Sequence, residues 1–134
     1  MSQVSTFVMF QGEAQRAIDL YSQVFKHFRL EQVQYYDATH EGRRLIKHAS
    51  IDFDRHHLVF SDSPISHDFG FTPAVSLFVN LANEAELERV FTRLAKGGKV
   101  LMPLDDYGFS ARFGWLNDRF GLSWQLNVPA GDLG

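Results

Sequence analysis

The chain of 134 residues contains no cysteine. That absence excludes a disulfide framework, a thiolate nucleophile and any Cys-based zinc site. Basic charge is scarce as well: 13 Lys and Arg stand against 16 Asp and Glu, a formal net charge of −3, with no cationic cluster longer than Arg43-Arg44. Neutralising a phosphate backbone takes a basic patch, so no nucleic-acid partner is expected. Long apolar runs are missing too. No stretch approaches the ~20 residues that span a bilayer, and the first residues lack the charged-then-apolar order of a signal peptide. No membrane partner and a cytoplasmic location are therefore expected. What the chain does have is a 45% hydrophobic composition, enough for one domain with a sizeable core.

The densest aromatic stretch runs from Asp105 to Val128 and holds both tryptophans. Arg112 to Leu116 and Leu122 to Val128 read as the two strands of a hairpin, joined by the polar turn Asn117-Asp118-Arg119-Phe120-Gly121. Along the second strand Leu122, Trp124 and Leu126 alternate with Ser123, Gln125 and Asn127, so one face is apolar and the other carries hydroxyls and amides. Such a polar face is either the lining of a cavity or a solvent-facing edge.

Upstream, Val4 to Phe10 suits a buried strand, ended by Gln11-Gly12. From Glu13, the spacing of Ala14, Ala17, Ile18, Tyr21, Phe25 and Phe28 predicts a helix, with Glu13 at the end where the dipole favours negative charge. Three strands follow, Leu30 to Tyr36, Leu45 to Phe53 and His57 to Asp62, with polar turns at His40-Glu41-Gly42 and Asp54-Arg55-His56. Residues 64–72, with Pro64 and Gly70, form a connector. The second half repeats the order: a strand at Ala74 to Asn80, a helix from Glu84 to Lys96 capped by Asn83 and ended by Gly97-Gly98, a strand at Lys99 to Met102, then the hairpin. Asp54 to Ser61 and Asp118 to Gln125 align without a gap, both starting Asp-Arg and setting Phe60 against Trp124. The chain thus reads as a duplicated strand-helix-three-strand unit, residues 1–63 and 73–128.

A tandem βαβββ pair resembles the vicinal oxygen chelate superfamily, which includes glyoxalase I, bleomycin-resistance proteins and extradiol dioxygenases. Within it the chain is similar to the PhnB-like branch, through Phe7 to Ala14, His48-Ala49, Ser76 to Val79 and, above all, Gly97-Gly98 through Leu126. That last stretch contains Met102-Pro103-Leu104, Tyr107-Gly108-Phe109-Ser110 and Phe113-Gly114-Trp115. The resemblance implies an α+β, glyoxalase/bleomycin-resistance-like fold whose two modules enclose one ligand pocket, usually within a homodimer. Members of this branch often carry a demethylubiquinone methyltransferase label. A Rossmann-type methyltransferase holds its cofactor on a glycine-rich turn between a strand and a helix N-terminus, and the one glycine pair here, Gly97-Gly98, follows a helix.

In the metal-dependent members, His and Glu on the first and last strands of each module hold the ion. Carried onto this chain, those positions fall at Thr6, Ser61, Ala74 and Gln125, none of them a histidine or carboxylate. No metal and no other cofactor is expected, with Asp62, beside Ser61, the residue best placed to overturn this. The ligand-binding candidates are Thr6, His48, Ser61 and Gln125 as polar groups, with Tyr107, Phe109, Ser110 and Trp115 around them. His48 shares an alternating set with Ile46, Ser50 and Asp52, and is either a binding or acid-base group or a solvent-facing strand histidine. His56-His57 falls in a turn and is expected to be exposed, while His27, His40 and His67 have no partner at ligand spacing. Asp105-Asp106 reads as capping or solvated. The loop Tyr107 to Ser110 covers either a pocket or a subunit interface.

Three functions remain open on these residues: a metal-free small-molecule pocket with an unidentified reaction or none; a metal-dependent lyase, isomerase or dioxygenase with displaced ligands; and an assembly protein with a filled interior. No catalytic residue is assigned.

Overall fold

Each half of the chain lays its first strand parallel to its last. β1 (Thr6–Phe10) pairs with β4 (His56–Asp62), and β5 (Ser76–Asn80) pairs with β8 (Ser123–Val128), both in parallel. The computed structural model describes residues 2–40 and 42–130, apart from the side chains of Ala38 and His40. Glu41, in the expected turn at His40-Glu41-Gly42, lies outside the described residues. The chain divides between Asp68 and Phe69 into two compact units.

The first unit is a four-stranded sheet in the order β1-β4-β3-β2, with β2 (Phe28–His40) and β3 (Arg43–Phe53) completing the meander. The second repeats it as β5-β8-β7-β6, with β6 (Lys99–Asp105) and β7 (Arg112–Asn117). A parallel pair cannot be closed by a tight turn, and a helix makes each crossover. These are α1 (Ala14–Val24) and α2 (Glu84–Ala95), whose apolar faces (Ala14, Ala17, Ile18, Tyr21 and Val24; Leu87, Val90, Phe91 and Leu94) are buried. Asn83 caps α2, its Oδ1 accepting from Glu86 N at 2.9 Å. Neither helix is long and apolar enough to cross a membrane.

Several boundaries differ from expectation. Phe28 opens β2 instead of extending α1, because the helix ends at Phe25, which adopts extended geometry. It still joins the core, edge-on to Tyr21 at 5.6 Å. β2 runs on to His40, and β6 continues through Pro103 to Asp105, since an edge strand loses no ladder bond at a proline whose N side faces outward. Ala74 and Val75 precede β5.

In both sheets one face packs on the unit's own helix. Val8, Phe10, Leu58, Phe60, Ala49 and Ile51 are buried on that side of the first unit, and Trp124, Leu126, Val128 and Leu116 on that side of the second. The opposite, helix-free faces carry the residues of functional interest.

Candidate functional site

On the second unit's helix-free face, β8 lies between β5 and β7. Its polar residues therefore do not form a solvent-facing edge: Ser123 and Asn127 are buried and Gln125 is half-buried. The register sets Gln125 between Phe78 of β5 and Trp115 of β7, and Ser123 between Ser76 and Asn117. A chain of hydrogen bonds follows. Trp115 Nε1 donates to Ser123 Oγ at 2.8 Å, the Ser76 and Ser123 hydroxyls meet at 2.7 Å, and Gln125 Nε2 donates to Ser76 Oγ at 3.4 Å. One residue pair further on, Asn127 Nδ2 donates to Asn80 Oδ1 at 2.8 Å, leaving Asn127 Oδ1 buried without a partner.

Beside these amides is a group of rings. Phe113 meets Phe78 at 6.4 Å, Phe109 at 5.0 Å and Tyr107 at 6.1 Å. The loop after β6 is folded onto its own sheet by Tyr107, whose hydroxyl donates to the Pro103 carbonyl, and by the buried Ser110. Asp106 Oδ1 accepts from Gly108 N and Asp105 Oδ1 from Asp106 N, so the paired carboxylates cap the loop. Phe78 and Phe109 remain 54% and 59% exposed. Of the sequence candidates, Gln125 and Trp115 thus join one network and Tyr107 and Phe109 one ring cluster, all in one unit. Ser76, Ser123, Phe78 and Phe113 are not among those candidates. Their signal is the parallel register, which strand alternation alone does not supply.

The candidates in the first unit do not gather in this way. Thr6 alternates to the helix side with Val8, not onto the open face, and its hydroxyl meets His56 Nε2 at 3.1 Å. Ser61 donates to the Lys47 carbonyl at 2.8 Å. His48 is exposed, opposite Gln34. It does not share a set with Ile46, because the pairing jumps from Gln34↔His48 to Tyr35↔Ile46, and this bulge turns Ile46 into the core. His57 is not in an exposed turn: it lies half-buried in β4 on the helix-free face, in register with Asp52, between the Ser5 hydroxyl at Nδ1 and Ser50 Oγ at 2.7 Å from Nε2. A recess of about 230 Å³ lies elsewhere in this unit, lined by Gln11, Gly12, Leu45, Ser63 and Ser66 among others. No ionisable side chain lines it.

Residues 2–127 match the family described as 3-demethylubiquinone-9 3-methyltransferase. The chain belongs to this family. Among solved structures, the PhnB protein of Bacillus cereus is 39% identical over 95% of this chain and 99% of its own, with a TM-score of 0.86. Protein PA1353 of Pseudomonas aeruginosa is 28% identical over 98% of this chain and 100% of its own, at 0.82. A glyoxylase/bleomycin resistance protein/dioxygenase domain from Frankia sp. EAN1pec, 14% identical over 100% of this chain and 95% of its own, shares the fold at 0.69. The chain is thus PhnB-like, with a glyoxalase/bleomycin-resistance-like fold. No curated protein matches it significantly.

Neither the methyl-donor cofactor of the family's description nor the superfamily's metal fits the residues present. A dinucleotide-type cofactor is held by free N–H groups at a strand-to-helix junction. Here the Gly12 and Ala14 N–H groups already donate to Asp62 Oδ1, at 2.9 and 3.0 Å, and Asn83 closes the other junction. Asp62 Oδ2 accepts from Ile46 N at 2.9 Å, so this carboxylate is committed to backbone. Among the described residues no three His, Asp or Glu side chains cluster as a metal site requires.

Proposed function

We propose that the PhnB-like chain is a small-molecule-binding protein that receives its ligand on the helix-free face of the second unit, without a transition metal. The observation that carries this reading is the hydroxyl and amide strip from Trp115 through Ser123 and Ser76 to Gln125, set beside the exposed rings of Phe78 and Phe109. Ligand sites combine an apolar wall with a few placed polar groups in this way. Thr6, Ser61 and His48 of the first unit contribute less in this reading, since Thr6 and Ser61 are hydrogen-bonded within their own sheet. The protein works as a cytoplasmic homodimer, a state supported by the exposed Phe7 of the first unit.

The reading is tested by titrating small aromatic compounds against tryptophan fluorescence, where Gln125→Ala should weaken any saturable binding by about tenfold, one lost hydrogen bond's worth, with melting nearly unchanged. Unchanged affinity would refute it. Elemental analysis after dialysis tests the metal-free part: about one equivalent of zinc, nickel, iron or manganese per chain, lost in His48→Ala or Asp62→Asn, would overturn it.

A further inference from the structure

The network on β5 and β8 has a direction that follows from counting protons. An indole N–H only donates, so Ser123 Oγ is the acceptor of Trp115 Nε1. Ser123 is fully buried, and among the described residues its one other side-chain hydrogen-bond contact is Ser76 Oγ. Its proton must therefore go to Ser76, because the reverse arrangement would strand a buried O–H with no acceptor. Ser76 Oγ then accepts twice, from Ser123 and from Gln125 Nε2, and its own proton is left over. At the other end of the same amide, Gln125 Oε1 has no partner among the described residues. Both residues are half-buried, so a free donor and a free acceptor stand side by side on the open face.

We propose that this pair, the Ser76 hydroxyl proton and Gln125 Oε1, recognises the carboxamide edge of a neutral aromatic compound. The ligand carbonyl accepts from Ser76 and its N–H donates to Gln125, while its ring lies against Phe78, which is in register with Gln125 and 54% exposed. Charge supports a neutral partner. On this face β5, β8 and β7 present Ser, Phe, Asn, Gln and Trp side chains, while Arg112 turns to the helix side to meet Glu88 and Lys99 stands opposite Asn117 on the far edge strand β6, two strands from β8. A carboxylate would set its oxygen against Gln125 Oε1, whose neighbours in the sheet are Phe78 and Trp115, with no cation beside it to offset the repulsion. The inference rests on the reading of this face as the binding site.

The test is amide-resolved NMR titration of the full chain with three probes of similar shape: benzamide, benzoate and toluene. Benzamide should perturb β5 and β8 and bind at least tenfold tighter than benzoate. Gln125→Ala should erase most of that preference, by lowering benzamide affinity with toluene unaffected, whereas Gln125→Glu, which keeps an acceptor and adds a negative charge, should weaken benzoate further. Toluene perturbing the same strands while benzoate equals or exceeds benzamide would overturn the carboxamide assignment and leave the site standing. If no probe perturbs β5 or β8, the site reading falls and the inference falls with it.

Discussion

Two buried aspartates, one in each unit, serve the backbone. Asp62 accepts from Gly12, Ala14 and Ile46, tying the start of α1 and the β3 bulge to the end of β4. Asp118 accepts from Phe120 N, Leu122 N and the Trp124 indole, and so holds the β7–β8 turn over the largest core side chain. Removing either leaves buried N–H groups unpaired. Asp62→Ala should cost on the order of 3 kcal/mol in urea unfolding, and Asp62→Asn, which keeps an acceptor oxygen, markedly less. Equal losses would show that charge, and not acceptor count, matters. Asp52 is different, since it lies at the surface. Its Oδ2 accepts from Arg29 at 2.6 Å, and this hydrogen bond holds the carboxyl below, and the guanidinium above, its ordinary range. A depressed folded-state value stabilises above the unfolded aspartate pKa of about 3.9 and is lost as pH falls through the lower folded value. Thermal melts of Asp52→Asn should therefore differ from the parent at neutral pH and converge with it in acid. Because Arg29 is 69% exposed, high salt should shrink the difference.

Turns and close approaches explain the elements that pattern alone does not. The β3–β4 hairpin closes through Asp54 and Arg55, both left-handed at φ 49° and 73°. Two-residue hairpin loops of this type favour Asn-Gly, and a bulky residue at positive φ is strained. Replacing Asp54-Arg55 with Asn-Gly should stabilise the fold by roughly 1 kcal/mol, read as a raised urea midpoint at constant slope. At the end of α2, Gly97 supplies the positive φ of 78° that closes the helix. Gly98 answers a different need: an added Cβ would lie 2.1 Å from the Asn117 carbonyl oxygen. Gly98→Ala should thus cost on the order of 3 kcal/mol, with the β6–β7 amide resonances displaced, because backbone cannot give way as a side chain can. Stability close to the parent's would show that the helix end shifts freely.

At the scale of the molecule, the duplication is carried by topology more than by identity. Ser61 and Gln125 fall at equivalent positions on β4 and β8, beside Met9 and Phe78, although their side chains do different things. Phe60 and Trp124 fill the same core slot, each fully buried. The proposed homodimer predicts twice the 15.3 kDa chain mass by light scattering at micromolar concentration. A monomer mass there would refute it, and the exposure of Phe7 would then belong to the single chain.

The sequence by itself determined the repeated strand and helix order, the two amphipathic helices and the polar-apolar alternation of the last strand, because these follow from local periodicity and capping residues such as Asn83. It also left Thr6, Ser61, Ala74 and Gln125, where the resemblance sets the family's metal positions, without imidazole or carboxylate, a matter of residue identity alone. Only the tertiary structure decided which residues meet. The bulge at Lys47 separates His48 from Ile46, and a register shift of this kind leaves no mark in alternation. The parallel pairing of β5 with β8 brings Ser76 to Ser123 and Phe78 to Gln125 across nearly fifty residues. Local propensity carries no information about such a partner, which is set by burying the helix-side apolar residues of both strands together.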